Sequence, residues 1–557
     1  MLVILKGISE KTIEFEVLEE GGHEIRFVLI DTSNREEVLQ SIYIYTYKVE
    51  NITFLSLASV DDAENAYYDW LLENSKIDFE EYNHIQEEKI KLTEENADIE
   101  IQYTPSKLRA VGGKISLTGT VKWTDVNGGT HGANEIRVEI WDKNKDGDKL
   151  LTSVYTDSNG KFTATVDNNV SILENGYDLY IKLCARGRYV SVVDKNGNIY
   201  APTLDLGNNL SSGQLSVNIT LDNQKDISRA FQVQQAGSMA SAYVRQQTGS
   251  YLENLKIYYP DENGTLYSPV NGIIRLQAGH YCDWDVIQHE YGHHVGAELD
   301  IEDTPGGQHY LNHNLADDRK SKSQGIRLAW SEGWSTYFAL SVQEYYNTSK
   351  LNLPNVGDYN YTDTPGEINY SVENFDYKFG EANEWAVSAV LLDLADGNNE
   401  GVDKLSLGYT SLFNVVVSNK CTTLSTFLGK IQGIINTRDL YIGEILSNAG
   451  VSSKLLLPSN GTNLTTALPT FAWLKRGGSS LYPNNSFTLV FYNYAYEKIC
   501  EIYVGNVDSY KLTSSEWSKI CNATKNSKII YWTVKASQTS SPSTGPYFSN
   551  YRYFYIP

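Results

Sequence analysis

Residues 285–294 read Asp285-Val-Ile-Gln-His289-Glu290-Tyr-Gly-His293-His294. His289 and His293 stand four apart, which on an α-helix puts both imidazoles on one face, one turn apart. That is the spacing for two ligands of one metal ion. Glu290 points to the adjacent side, where a carboxylate can take a proton from water polarised by that ion. Ile287, Tyr291 and Val295 supply an apolar stripe, so Trp284–Val295 reads as the helix that the spacing requires.

A third ligand is expected downstream. Arg327-Leu-Ala-Trp-Ser-Glu332-Gly-Trp-Ser-Thr-Tyr-Phe-Ala reads as a second helix with Glu332 on it. A carboxylate among Trp330, Trp334 and Phe338 is costly to bury uncompensated, and coordination to Zn2+ would compensate it. His294 faces another direction on its helix and reads as packing or as support for the ligands.

The pair HEYGH and AWSEGWSTYFA resembles the glutamate-zincin metallopeptidases, particularly thermolysin-like and fungalysin-like enzymes. The resemblance runs from Gly279 to near Ala395 and takes in the helix pattern Gly380-Glu-Ala-Asn-Glu-Trp-Ala. It implies that His289, His293 and Glu332 bind zinc, that Glu290 activates water, and that the substrate is a protein or peptide. Three departures stand out. The interval from His293 to Glu332 is longer than in thermolysin and contains His309 and His313. The family often places an Asp four residues after the ligand Glu, to orient a His ligand; here that position is Thr336, a weaker partner. No His lies beyond His313. The oxyanion stabiliser is therefore a Tyr, with Tyr370 and Tyr377 as candidates, or else His309 or His313 folding back.

Working outward, the composition sets limits. The chain has 557 residues, 69 acidic and 46 basic, for a formal net charge of −23. That balance argues against nucleic acid, which needs clustered Lys and Arg. No apolar run is long enough to span a membrane. Cys is five with no CxxC, and Cys500 and Cys521 are near enough in sequence to pair. The amino-terminal residues lack the basic and apolar regions of a signal peptide. With the Tyr- and Asn-rich composition, the expected setting is nonetheless extracellular or at the cell surface.

The fold class expected is multidomain α+β: a mainly helical zincin catalytic domain flanked by β-sandwiches. Residues 1–103 read as an α+β module or pro-region, with a hairpin of Lys11–Leu18 and Ile25–Leu29 and helices at 35–48 and 60–75. Residues 104–224 alternate with strand period between Asp-, Asn- and Gly-rich turns. The stretch Thr156-Asp-Ser-Asn-Gly-Lys-Phe-Thr-Ala resembles carboxypeptidase-regulatory or transthyretin-like sandwiches. Residues 225–455 take helical periods and form the catalytic domain. Residues 456–557 return to strands and resemble a fibronectin-III-like or immunoglobulin-like sandwich.

Two acidic loops are candidates for Ca2+. Asp142-Lys-Asn144-Lys-Asp146-Gly-Asp148 lacks the EF-hand acid at its twelfth position, and a turn between strands is the favoured reading. Asp393-Leu-Ala-Asp396-Gly-Asn-Asn-Glu400-Gly-Val-Asp403 is the other, and it reads equally as a subsite for basic substrates or as a solvated loop at a helix end. Two rival functions stay open. One is an inactive zincin-like surface adhesin whose sandwiches contact glycans or cell-wall polymer; the other is a glycoprotein-specific zinc peptidase.

Overall fold

A computed structural model describes residues 2–3, 21–30, 36–46, 55–57, 97–105 and 113–556, apart from 146, 168–175, 211, 223–225, 352, 354–355, 358, 364–367, 374–378, 398–404, 432–438, 465–467 and 524–526. The protein is a multidomain α+β chain with two compact units. One comprises Met1–Ser238 and Asn254–Tyr281, the other Met239–Glu253 and Cys282–Pro557.

In the first unit, strands Leu2–Val3, Gly21–Ile30, Glu36–Thr46 and Leu55–Leu57 form one sheet in chain order. Residues 36–46 are thus strand, not the helix expected at 35–48. Ser-Ile-Tyr-Ile-Tyr-Thr at 41–46 is β-branched and aromatic, and that outweighs the helix-compatible Glu-Glu-Val-Leu before it. Gly21–Ile30 pairs antiparallel with this strand. Lys11–Leu18 and residues 60–75 lie outside the described residues.

The strands of the next segment form two sheets. One runs Lys161–Asp167, Lys114–Thr124, Gly213–Leu221 and Ala97–Pro105; the other Thr203–Leu210, Tyr177–Cys184, Arg137–Asp142 and Lys149–Tyr155. In Lys161–Asp167, exposed and buried residues alternate strictly, as a half-buried strand requires. A third sheet adds Val190–Val193 in parallel to Leu255–Tyr258, followed by Ile273–Arg275 and Leu266–Ser268. In the Asp142–Asp148 turn, protein donors occupy the carboxylates. Asp142 accepts from the Asp178 amide at 2.8 Å, and Asp148 accepts from the Tyr180 hydroxyl at 2.9 Å. Asp146 lies outside the described residues.

Helix α1 spans Asp226–Thr248. The second unit then holds α2 (Trp284–Glu298), the single turn α3 (Leu315–Asp318), α4 (Lys322–Tyr346), α5 (Glu384–Ala395), α6 (Tyr409–Ser418), α7 (Leu424–Ile431) and α8 (Asp439–Asn448). Polar residues start each of the principal helices. Asp283 caps α2, Ser321 caps α4 and Asn383 caps α5, each accepting a backbone N–H of the first turn. Asn347, in the left-handed region at φ 52°, ends α4. Trp330, Trp334 and Phe338 are fully buried, and Phe413 and Phe427 pack against the two tryptophans.

Two further sheets share a core built on Phe471, Trp473, Phe487, Phe491, Trp532 and Phe554. Helix α9, Ser514–Asn522, closes it, with a Thr513/Glu516 capping box. The cysteines Cys500 and Cys521 belong to this region and are thiols, not a disulfide.

This sandwich is fastened to the helices of its own unit by polar contacts. Asp317 accepts the amides of Ser480 and Leu481 at 2.8 and 2.9 Å. The Tyr547 hydroxyl donates to buried Glu381, and the Lys322 ammonium donates to the Pro542 carbonyl at 2.6 Å. Burial pushes the Glu381 carboxyl above its ordinary range. Removing the Tyr547 hydroxyl leaves a buried acceptor short of a partner, which costs about 1–3 kcal/mol. Tyr547→Phe should therefore lower the thermal midpoint of this unit by several degrees, measured by calorimetry. A midpoint equal to wild type would show that the contact contributes nothing.

Candidate metal centre

The site begins with a close approach of two helices. A Cβ on Gly292 of α2 would lie 2.8 Å from Ser335 Cα of α4, so only glycine allows this separation. Gly333 has the equivalent role between α4 and α5. A Cβ there would lie 2.6 Å from Val387 Cβ and 2.7 Å from the Glu384 carbonyl oxygen of α5. Each glycine sits one residue from a candidate ligand: Gly292 beside His293, and Gly333 beside Glu332. The packing that holds the helices together therefore also sets the positions of the ligands.

Glu332 Oε2 lies 3.2 Å from His289 Nε2 and 3.2 Å from His293 Nε2. The imidazole planes cross at 80°, with centroids 4.9 Å apart. All three residues are largely buried, and their donor atoms lie within 4.8 Å of one another. Two imidazole nitrogens and one carboxylate oxygen facing a common point can hold a metal ion. Without one, burial opposes the charge on Glu332, but His293 and His309 beside it keep the carboxyl well below its usual range. Glu290 is buried on the same helix. The Tyr361 hydroxyl is pushed up by burial, by Tyr370 and by acidic groups that include Glu290.

Each imidazole also has a partner behind it. His289 Nδ1 meets the Thr336 hydroxyl at 3.1 Å. His293 Nδ1 meets Glu302 Oε1 at 2.6 Å. Nothing in the sequence spacing singled out Glu302; its position depends on the turn that follows α2. His294 is buried against the Tyr291 ring, and burial pulls its imidazole down to about 4, so it is neutral.

The segment between α2 and α4 folds back over the site. Asn383, while capping α5, donates from Nδ2 to the carbonyls of Leu311 and His313 at 2.5 and 2.8 Å. That contact brings His309 to the start of α5. Its Nδ1 meets Glu384 Oε2 at 2.7 Å, and its Nε2 lies 3.7 Å from Glu332 Oε2. Burial works against the charged ring, but Glu332 and Glu384 outweigh it and raise it to about 9. His313 turns away and pairs with Asp318 at 3.0 Å, half exposed.

The hairpin of Asn360–Asp363 and Ile368–Ser371 covers the start of α2. Buried Asp285 ties it down, accepting from Thr362 N and Oγ1 at 2.9 Å each and from Gln343 Nε2 at 2.8 Å. On this hairpin the Tyr361 ring centroid lies 5.6 Å from that of His289, and Tyr370 is packed between Tyr361 and Trp385. Tyr377 lies outside the described residues. Tyr361 was missed by the sequence reading; the only signal for it was its cross-strand pairing with Tyr370.

Residues 237–432 match the family model of the Mycolysin C-terminal domain, a domain of metallopeptidases. That match covers about a third of the chain and includes His289, Glu290, His293, His309, Glu332 and Glu384. No curated protein matches the chain. Among solved structures, a 9R-lipoxygenase from Cyanothece PCC8801 aligns at 15% identity over 28% of this chain and 28% of that one, with a TM-score of 0.15. A likeness at that level carries no argument. Among the described residues no helix is long and apolar enough to cross a membrane.

The Gly292 contact makes the centre sensitive to one methyl group. Gly292→Ala must push α2 from α4, at a cost of about 1–3 kcal/mol. Equilibrium dialysis should then show weaker metal uptake than wild type, from a protein that still folds. Unchanged uptake would mean that the helix spacing does not control the ligand positions.

Proposed function

We propose that this chain is a zinc-dependent peptidase that hydrolyses protein or peptide substrates outside the cell or at its surface. The observation that supports this most directly is the meeting of His289 Nε2 and His293 Nε2 on one oxygen of Glu332. It lies within a stretch that matches a metallopeptidase domain. Two imidazoles and a carboxylate suit zinc and leave a further position for water or substrate. Zinc, when bound, supplies a Lewis acid that polarises a carbonyl and makes water easier to deprotonate.

The chain's own groups do the rest. Glu290, adjacent to His289 on the same helix, takes the proton from the attacking water and returns it to the departing amine. His309 is anchored at Nδ1 by Glu384, which leaves Nε2 directed to the ligand cluster. From there it donates a hydrogen bond to the substrate oxygen that gains charge. Tyr370 and Tyr377 remain further candidate donors. The β-sandwiches are proposed to contact glycan or cell-wall polymer, and the acidic stretch that begins at Asp393 in α5 to take Ca2+, its Glu400 and Asp403 lying outside the described residues.

The rival reading, a surface adhesin without catalysis, draws on the neutral Thr336 behind His289. The two readings separate in one assay. Wild-type protein should cleave members of an unbiased peptide library, with the cut sites read by mass spectrometry. Glu290→Gln should lose activity by about 10²–10⁴-fold, the usual contribution of a general base, while retaining its zinc. A silent wild type that still holds zinc would favour the adhesin. Cleavage confined to glycosylated substrates would select the glycoprotein-specific peptidase.

A separate assay addresses His309. His309→Ala should lower kcat by about 10²–10³-fold, the loss expected for one oxyanion donor, with little change in KM. An unchanged kcat would remove His309 from the mechanism.

A further inference from the structure

Two imidazoles meet at Glu332, but the groups behind them differ in charge. The Thr336 hydroxyl stands behind His289 and a carboxylate stands behind His293. We propose that Glu302, acting through His293, is the positioning residue that sets how tightly this centre holds its metal, and that Thr336 contributes little. The proposal rests on the zinc reading above.

The fold places Glu302 by a short series of steps. Helix α2 ends at Glu298, and Asp300 takes the left-handed region at φ 54°, which Asp tolerates better than most residues. The Ile301 amide then donates back to the Gly296 carbonyl at 3.0 Å. Ile301 is fully buried, and its carbonyl accepts from Trp330 Nε1 at 2.9 Å. The turn is thereby fixed to α4, and the next side chain, Glu302, points back to α2. Gly296 leaves the room for it: a Cβ there would lie 2.7 Å from Glu302 Oε2 and 2.8 Å from Glu302 Cβ.

Glu302 Oε1 lies 2.6 Å from His293 Nδ1, and the Ser331 hydroxyl, one residue before Glu332, donates to the same oxygen. The Glu302 side chain is only 5% exposed. A carboxylate oxygen held by a hydroxyl and an imidazole has little freedom to turn. With Nδ1–H given to Glu302, the Nε2 lone pair of His293 is fixed toward Glu332 and the metal position. A charged acceptor makes a hydrogen bond roughly twice as strong as a neutral one and raises the donor strength of the opposite nitrogen. His289, with only a hydroxyl behind it, gains orientation but no charge.

The test is zinc affinity, read by competition with a chromophoric chelator on the full chain freed of metal. Glu302→Gln keeps the shape and an acceptor oxygen but removes the charge. It should weaken zinc binding by about 10–100-fold. Thr336→Val should weaken it by no more than a few-fold. The visible spectrum of the cobalt(II)-substituted protein should shift in Glu302→Gln and not in Thr336→Val. A merely structural role for Glu302 would leave that spectrum unchanged. Gly296→Ala offers a second route, because it displaces the carboxylate without removing it, and should weaken binding in the same direction.

Equal affinity for wild type and Glu302→Gln, or a larger loss in Thr336→Val, overturns the inference. Wild-type protein that takes up no zinc overturns the zinc reading and this one with it. The two failures are therefore distinguishable.

Discussion

A carboxylate buried among tryptophans has to be compensated, and the second unit is organised around that requirement at Glu332. The helix bearing it packs Trp330, Trp334 and Phe338 into the core, which removes the neighbouring carboxylate from most of its water. Burying such a charge alone would cost several kcal/mol. The fold answers with three imidazoles, two from α2 and one from the segment that returns over α5. Helix spacing, the glycines that permit it and the direction of the following loop all bear on this one group. A divalent cation would compensate Glu332 more fully than imidazoles can, because it brings a localised charge to the oxygen itself.

The principal helices were readable from sequence for a physical reason. HExxH implies a helix because its chemistry needs a period near four, and the apolar stripe of Ile287, Tyr291 and Val295 obeys the same period. Trp284–Glu298 and Lys322–Tyr346 follow from that agreement, as do the alternating strands of 114–124 and 161–167. Residues 36–46 misled because Glu-Glu-Val-Leu favours helix and Ile-Tyr-Ile-Tyr favours strand, and a short window cannot weigh pairing with Gly21–Ile30. Sheet partners come from distant segments, so the parallel pairing of Val190–Val193 with Leu255–Tyr258 had no local signal either.

The side chains around the centre divide in the same way. Those on one helix face were legible, because fixed spacing in sequence becomes fixed spacing in space. Thr336 belongs to this class: it lies four residues after Glu332 and meets His289 as that spacing implies. Glu302, His309 and Glu384 do not. Glu302 depends on the left-handed turn at Asp300, and the His309–Glu384 contact depends on Asn383 holding the carbonyls of Leu311 and His313. No periodicity encodes a contact made by a loop: His309 was one of several candidate donors in the sequence and gains its partners only in the fold, and Glu302 and Glu384 become visible only once the helix ends are placed.

The longer interval between His293 and Glu332 then takes on a specific meaning. It lies between two helices already fixed by their packing, so its length was free to vary without moving the ligands. Chain length of this kind costs little in closure entropy, since the cost grows only logarithmically. What it supplies here is a carboxylate behind one ligand and an imidazole beside another. Both come from the segment between α2 and α4, and they serve different groups: Glu302 stands behind His293, whereas His289 has Thr336 behind it. The Asp expected four residues after Glu332 is replaced by Thr336, and no His follows His313. A negative group and a proton donor are needed near such a centre, but physical chemistry does not dictate which element carries them. In this chain the connecting loop carries Glu302 and His309, while the helices carry His289, His293 and Glu332 together with Glu290, Thr336 and Glu384.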